Sequence, residues 1–136
     1  MGGIGFAGKF LHVDLTKASC SDFTLDDATM KKFMGGSCLA AKIFLDRYPV
    51  DLDPLAPESP FMIMTGPMVG SGFPGTSRFS ICAKSPQTNI WGESACGGNF
   101  GPELKRAGYD GIVIDGRAAS PVYLSLTDDG VQILDA

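Results

Sequence analysis

Arg78 directly follows a run of residues, Thr65-Gly66-Pro67-Met68-Val69-Gly70-Ser71-Gly72-Phe73-Pro74-Gly75-Thr76-Ser77, that is too rich in glycine and proline to continue a helix or strand. A turn of this kind exposes backbone N–H groups with no side chain in the way, and a guanidinium fixed beside it can grip a phosphate through two parallel hydrogen bonds. A second run, Ala95-Cys96-Gly97-Gly98-Asn99-Phe100-Gly101-Pro102, leads into a predicted helix. Gly97, Gly98 and their neighbours therefore offer unpaired amides at a partly positive helix start, which suits a pyrophosphate or a pterin phosphate.

The charge distribution points the same way. The chain carries a formal net charge of -4, which argues against a nucleic-acid binder with an overall basic surface. Between Phe61 and Gly108, however, the basic residues are Arg78, Lys84, Lys105 and Arg106 and the acidic ones only Glu93 and Glu103. Nine of the 18 glycines lie in that same stretch, as expected where backbone approaches an anionic ligand closely. The same residues also fit a plainer reading, tight turns and a surface charge, and composition does not choose between the two.

Other chemistries find less support. Gly66 to Gly72 reaches no Gly-Lys-Ser/Thr, so it is not a nucleotide P-loop, and no Gly-x-Gly-x-x-Gly sits between a strand and a helix. The four cysteines, Cys20, Cys38, Cys82 and Cys96, are 18, 44 and 14 positions apart. No Cys-x-x-Cys pair exists to clamp zinc or an iron–sulfur cluster, and buried free thiols are expected. The single histidine, His12, falls on the polar face of a strand, where a solvated or hydrogen-bonded side chain is expected rather than a catalytic one.

Elements of mixed type must position these residues. Lys9–Leu15 alternates as a strand, with Leu11, Val13 and Leu15 on one face and Phe10, His12 and Asp14 on the other. Thr24 or Asp26 can cap a short helix to Phe33, and Gly35-Gly36 separates it from a second helix over Ser37–Tyr48, whose core face carries Leu39 and Ile43 beside Ala40 and Phe44. Val50 to Pro60, with three prolines and three acids, is an exposed connection. Strands are expected at Phe61–Met64, Arg78–Lys84 and Ile90–Ser94. A helix follows from Pro102 to Ala107 with Gly108 as its left-handed cap, and then strands at Gly111–Ile114, Val122–Leu126 and Val131–Leu134. Asp128-Asp129-Gly130 joins the last two as a hairpin. Gly5 to Asp14 and Gly108 to Asp115 are faintly alike. Strand groups interrupted by isolated helices favour an α+β fold, with mixed or antiparallel sheets, over a doubly wound parallel sheet.

With 136 residues, 44% hydrophobic and 19% charged, residues 1–136 read as one globular domain with a continuous core. Met1 to Phe6 lack the basic start and long apolar run of a signal peptide, and no apolar stretch has membrane-spanning length, so a cytoplasmic location and no membrane partner are expected.

The order of these motifs carries a resemblance. Thr65-Gly66-Pro67 through Pro74, Ser77-Arg78-Phe79, Lys84-Ser85-Pro86 and Cys96-Gly97-Gly98-Asn99-Phe100-Gly101-Pro102 through Asp110 closely resemble the N-terminal domain of the aldehyde ferredoxin oxidoreductase family. The likeness begins at Gly8-Lys9-Phe10-Leu11, includes Gly35-Gly36 and Leu39-Ala40, and continues to Pro121-Val122-Tyr123, covering nearly the whole chain.

The resemblance implies tungsten, or sometimes molybdenum, held by two molybdopterin dithiolenes whose phosphates are bridged by Mg2+, in an oxidoreductase that oxidises aldehydes to carboxylic acids and reduces ferredoxin. It places Arg78 at the family's pterin-binding arginine, Gly97 at a pterin-binding backbone position, and Ala95 at a residue whose carbonyl binds magnesium. The family often has Asn at the position of Ala95 and reads Gly-Gly-Arg-Gly where this chain has Gly35-Gly36-Ser37-Cys38. The 4Fe-4S ligands and most of the substrate pocket would lie in later domains, and the family's N-terminal domain itself is longer than this chain. No catalytic residue is expected within residues 1–136. The expected partners are the remaining domains, ferredoxin and, through exposed apolar edges, a second copy in a homodimer. A pterin-binding or scaffold module without turnover is the alternative.

Overall fold

The computed structural model describes residues 5–127 and 129–136. The expectations that fall on Met1 to Ile4 and on Asp128 lie outside the described residues.

The chain runs β1 (Phe10–Asp14), β2 (Ser19–Phe23), α1 (Asp27–Phe33), α2 (Gly36–Arg47), β3 (Phe61–Met64), β4 (Phe79–Lys84), β5 (Trp91–Cys96), α3 (Phe100–Arg106), β6 (Gly111–Asp115), β7 (Val122–Thr127) and β8 (Gly130–Asp135). Six strands form one sheet in the order β2-β1-β6-β3-β4-β5, and β7-β8 form a separate hairpin. Only β1 and β6 pair in parallel; the other neighbours are antiparallel. The fold is thus α+β with a mixed sheet. The two segments that look alike in sequence are these parallel neighbours, with Phe10 opposite Gly111 and Asp14 opposite Asp115.

Both faces of the sheet are covered. On one side α1 and α2 bury Met30, Leu39, Ala40, Ile43 and Phe44 against Phe10, Met62, Met64 and Val113. On the other, α3 and the β7-β8 hairpin bring Leu104, Leu124, Leu126 and Ile133 onto Leu11, Val13 and Ile112. Such two-sided burial explains one departure from the sequence expectation: the face of β1 carrying His12 and Asp14 begins with Phe10, which is fully buried. His12 itself is held by Asp115 at 2.9 Å, and the Tyr48 hydroxyl donates to the same oxygen at 2.8 Å.

Strand β2 was not expected from its sequence, Ser-Cys-Ser-Asp-Phe, which has no apolar alternation. It forms because the Asp14 carboxylate accepts from the Thr16 and Lys17 amides, Ala18 takes a left-handed φ of 49°, and the chain folds back on β1. Asp26 caps α1 by accepting from the Thr29 amide at 2.9 Å. The thiols differ from expectation too. Cys82 alone is fully buried, whereas Cys38 and Cys96 are exposed and Cys20 is half-buried.

Candidate functional site

Arg78 stands one residue before β4 and Gly97 one residue after β5. These strands pair Phe79 with Cys96 and Ser80 with Ala95, so Arg78 and Gly97 are the residues that leave the same end of the ladder. Cys82 belongs to the core beneath α2, and a Cβ added to Gly36 at the start of α2 would lie 3.6 Å from Ser80 Oγ. Strand alternation therefore puts Arg78, Ser80, Glu93, Ala95 and Gly97 on the α2 side of the sheet. Phe79 turns the other way and packs against Phe100 at 5.1 Å between ring centroids.

The Arg78 side chain is exposed and has no ion pair with any described residue. The other three basic residues of Phe61–Gly108 are engaged in structural contacts, which corrects the picture of a generally positive stretch. The Lys84 ammonium donates to the Val50 and Leu52 carbonyls at 2.8 Å each, Arg106 pairs with Glu103, and Lys105 pairs with Asp110. Asp110 lies two residues beyond the stretch over which the charge was counted. One free guanidinium is left, beside Gly97.

Gly97 and Gly98 have open space where a Cβ would be added, with no atom within 4 Å. Gly98 also needs its freedom for a φ of +97°. At Gly97 the absence of a side chain leaves the backbone accessible. Ala95 is exposed, as suits a backbone contact to a ligand.

The root of the first glycine run is fixed tightly. Thr65 is buried; its amide and its hydroxyl both donate to the Asp110 carbonyl, at 2.9 and 2.7 Å, while its own carbonyl accepts from the Gly36 amide at 3.0 Å. Any Cβ at Gly35 would collide with the Thr65 carbonyl oxygen, and one at Gly5 with that of Pro67. The tip of the run lines a cleft of about 480 Å3 against α3, with Gly70, Gly72, Gly75, Thr76, Glu103 and Arg106 in its wall. Arg78 does not line this cleft. The structure thus places Arg78, Ala95 and Gly97 at one end of the β4–β5 ladder, and places the glycines of the first run around a different opening.

Three residues near the site were not singled out from the sequence. Ser80 and Glu93 sit on the same face as Arg78 and Ala95, the Ser80 hydroxyl donating to Glu93 at 3.2 Å; period-two alternation from Arg78 and Ala95 was the available signal. Asp110 is 2% exposed and accepts from the amides of Ala7 (3.1 Å) and Gly8 (2.6 Å) as well as from Lys105. No sequence pattern marks that long-range role. Burial raises the Cys82 thiol to about 11, with Glu93 and Cys38 adding to the shift, so Cys82 is an inert packing group. Among the described residues no cluster of His, Cys, Asp and Glu could hold a metal ion, and no helix is long and apolar enough to cross a membrane.

The chain is similar to several known proteins. The tungsten-containing aldehyde ferredoxin oxidoreductase of Pyrococcus furiosus is 37% identical over 129 residues, which is 95% of this chain and 21% of that protein. The WOR-like subunit of an aliphatic sulfonate oxidoreductase from the same organism is 42% identical over 134 residues, 96% of this chain and 21% of that protein. A solved structure of the BamBC active-site complex of benzoyl coenzyme A reductase, with a dienoyl-CoA, superposes with a TM-score of 0.94 at 37% identity, covering 98% of this chain and 20% of that one. The chain therefore spans about a fifth of the length of these relatives. Residues 10–136 match the profile of the aldehyde ferredoxin oxidoreductase N-terminal domain, and the chain belongs to that family.

Proposed function

We propose that this chain is the cofactor-holding N-terminal part of a larger tungsten, or molybdenum, bis-molybdopterin oxidoreductase that oxidises aldehydes to carboxylic acids and passes the electrons to ferredoxin. The observation that carries the reading is the exposed, unpaired guanidinium of Arg78 at the end of the β4–β5 ladder that Gly97 also leaves, where the Gly97 Cβ position is empty. These residues fit an anionic, flat-edged cofactor: Arg78 would hold a phosphate or a pterin ring edge, the Gly97 amide would complete the contact, and the Ala95 carbonyl would face a magnesium ion. When bound, the metal and its dithiolene ligands supply the redox chemistry. The chain's own part is to orient and anchor.

Within residues 1–136 nothing is assigned to substrate or to an iron–sulfur cluster, so the remaining domains would provide both. A relative acting on aliphatic sulfonates at 42% identity, beside aldehyde enzymes at 37%, supports placing substrate choice outside this domain. The decisive experiment is Arg78→Ala in the full-length enzyme, with tungsten, molybdenum and pterin quantified after purification. The expected result is a loss of metal and pterin together in a folded protein; unchanged content refutes the assignment.

A further inference from the structure

Strand β5 is the last strand of the six-stranded sheet, and no described residue pairs with its outer edge. An open edge of this kind is ordinarily guarded by Lys, Arg, Pro or a bulge, because its unpaired N–H and C=O groups recruit other strands. Trp91-Gly92-Glu93-Ser94-Ala95-Cys96 contains none of those residues, its one charge being Glu93, which accepts from Ser80 of the neighbouring strand, and it pairs with β4 without interruption from Trp91 to Cys96. The opposite edge is different. There β2 is anchored by Asp22 to Lys9 and Tyr109, and the hairpin lies against it through β8.

The open edge is continuous with an apolar groove. Phe44 and Trp91, 5.5 Å apart between rings, lie in a groove of about 340 Å3 that Leu45, Val50 and Ile90 also line. The last three are 63%, 68% and 66% exposed. A free strand edge beside an apolar pocket is the pattern by which an extended segment docks, its backbone completing the ladder and one side chain filling the pocket. The surface area agrees. The chain exposes 8018 Å2, whereas a self-contained protein of 14.3 kDa would expose roughly 6,800 Å2. The surplus of about 1,200 Å2 is within the range of an interface between domains of one chain.

We propose that the Trp91–Ser94 half of this edge, with the Leu45–Val50–Ile90 groove, receives an extended strand from the remainder of the same polypeptide, leaving Ala95 to Gly97 for the cofactor. The proposal rests on the reading that this domain is part of a longer enzyme, which its coverage of about a fifth of its relatives supports. The test is hydrogen exchange on the purified full-length enzyme, together with short-range cross-linking from an Ile90→Cys variant. Expected are slow exchange at all four amides of Trp91 to Ser94, roughly a hundredfold or more below the open-chain rate, and a cross-link from Ile90→Cys to a segment of the later domains of the same polypeptide. Alternate amides exchanging at the open-chain rate, or a cross-link to a second copy, overturn it. Tungsten and pterin content measured on the same sample separates the two claims. A loaded enzyme with a fast-exchanging edge defeats the docking alone, whereas a cofactor-free enzyme with a protected edge defeats the cofactor reading alone.

Discussion

Asp110→Asn tests most directly how the site end of the sheet is held. The Asp110 carboxylate, 2% exposed, accepts from the Ala7 and Gly8 amides and pairs with the Lys105 ammonium, itself 9% exposed. Asparagine keeps the shape and one acceptor oxygen but removes the charge, leaving a nearly buried ammonium whose remaining described partners are the Gly5 carbonyl at 2.7 Å and the Phe6 ring at 5.4 Å. Removing one partner of a buried pair costs about 3–5 kcal/mol, mainly because the other charge is left uncompensated. At about 2.1 cal/mol/K of unfolding entropy per residue, the chain should then melt about 10–17 °C lower. Circular dichroism melts and urea titrations of wild type, Asp110→Asn, Lys105→Met and the double variant form a complete cycle. The expected coupling is about 2 kcal/mol or more, with the double variant more stable than the sum of the single losses implies. A loss below about 1 kcal/mol for Asp110→Asn, or independent effects of the two changes, would refute the claim that this pair braces the N-terminal segment.

Gly35→Ala forces a side chain into a φ of +87° and against the Thr65 carbonyl, so it should destabilise by roughly 2–4 kcal/mol in urea titration. Gly97→Ala meets open space and should change stability by under about 0.5 kcal/mol, yet lower the pterin content of the full-length enzyme; a full complement would count against the backbone contact. With a thiol reagent near neutral pH, Cys38 and Cys96 should react before Cys82, whose thiol is buried and raised to about 11. Because folding keeps the Cys82 proton on, this group favours the native state below its ordinary value of 9.0. That contribution declines as pH rises from there towards about 11, visible as a falling midpoint in alkaline melts that a Cys82→Ala variant does not share.

The elements with strong periodicity were legible in the sequence. The Phe61–Met64 run, the Phe79–Lys84 alternation and the Leu39/Ile43 face of α2 all appear where their patterns place them, because burial selects the residues that carry those patterns. Strand β2 was not legible: its stability comes from the Asp14 turn and from β1, not from its own residues. Arg78 and Gly97 could be named from residue type and order. Which of four cations would be free could not, since Lys84 is withdrawn by carbonyls distant in sequence, Lys105 by Asp110 across the turn after α3, and Arg106 by Glu103 on the helix surface.

What the sequence determined by itself is the supply of chemistry: glycines where backbone must stay bare, one arginine next to them, and motifs in the order of a known family. Tertiary structure decided the assignment of those groups. The β4–β5 pairing put Arg78 and Gly97 at the same end of the ladder, sheet alternation added Ser80 and Glu93 to the face of Ala95, and packing of α3 set the first glycine run at another cleft. Residue type fixes what a group can bind, but strand register and burial fix which groups meet and which charges are already satisfied.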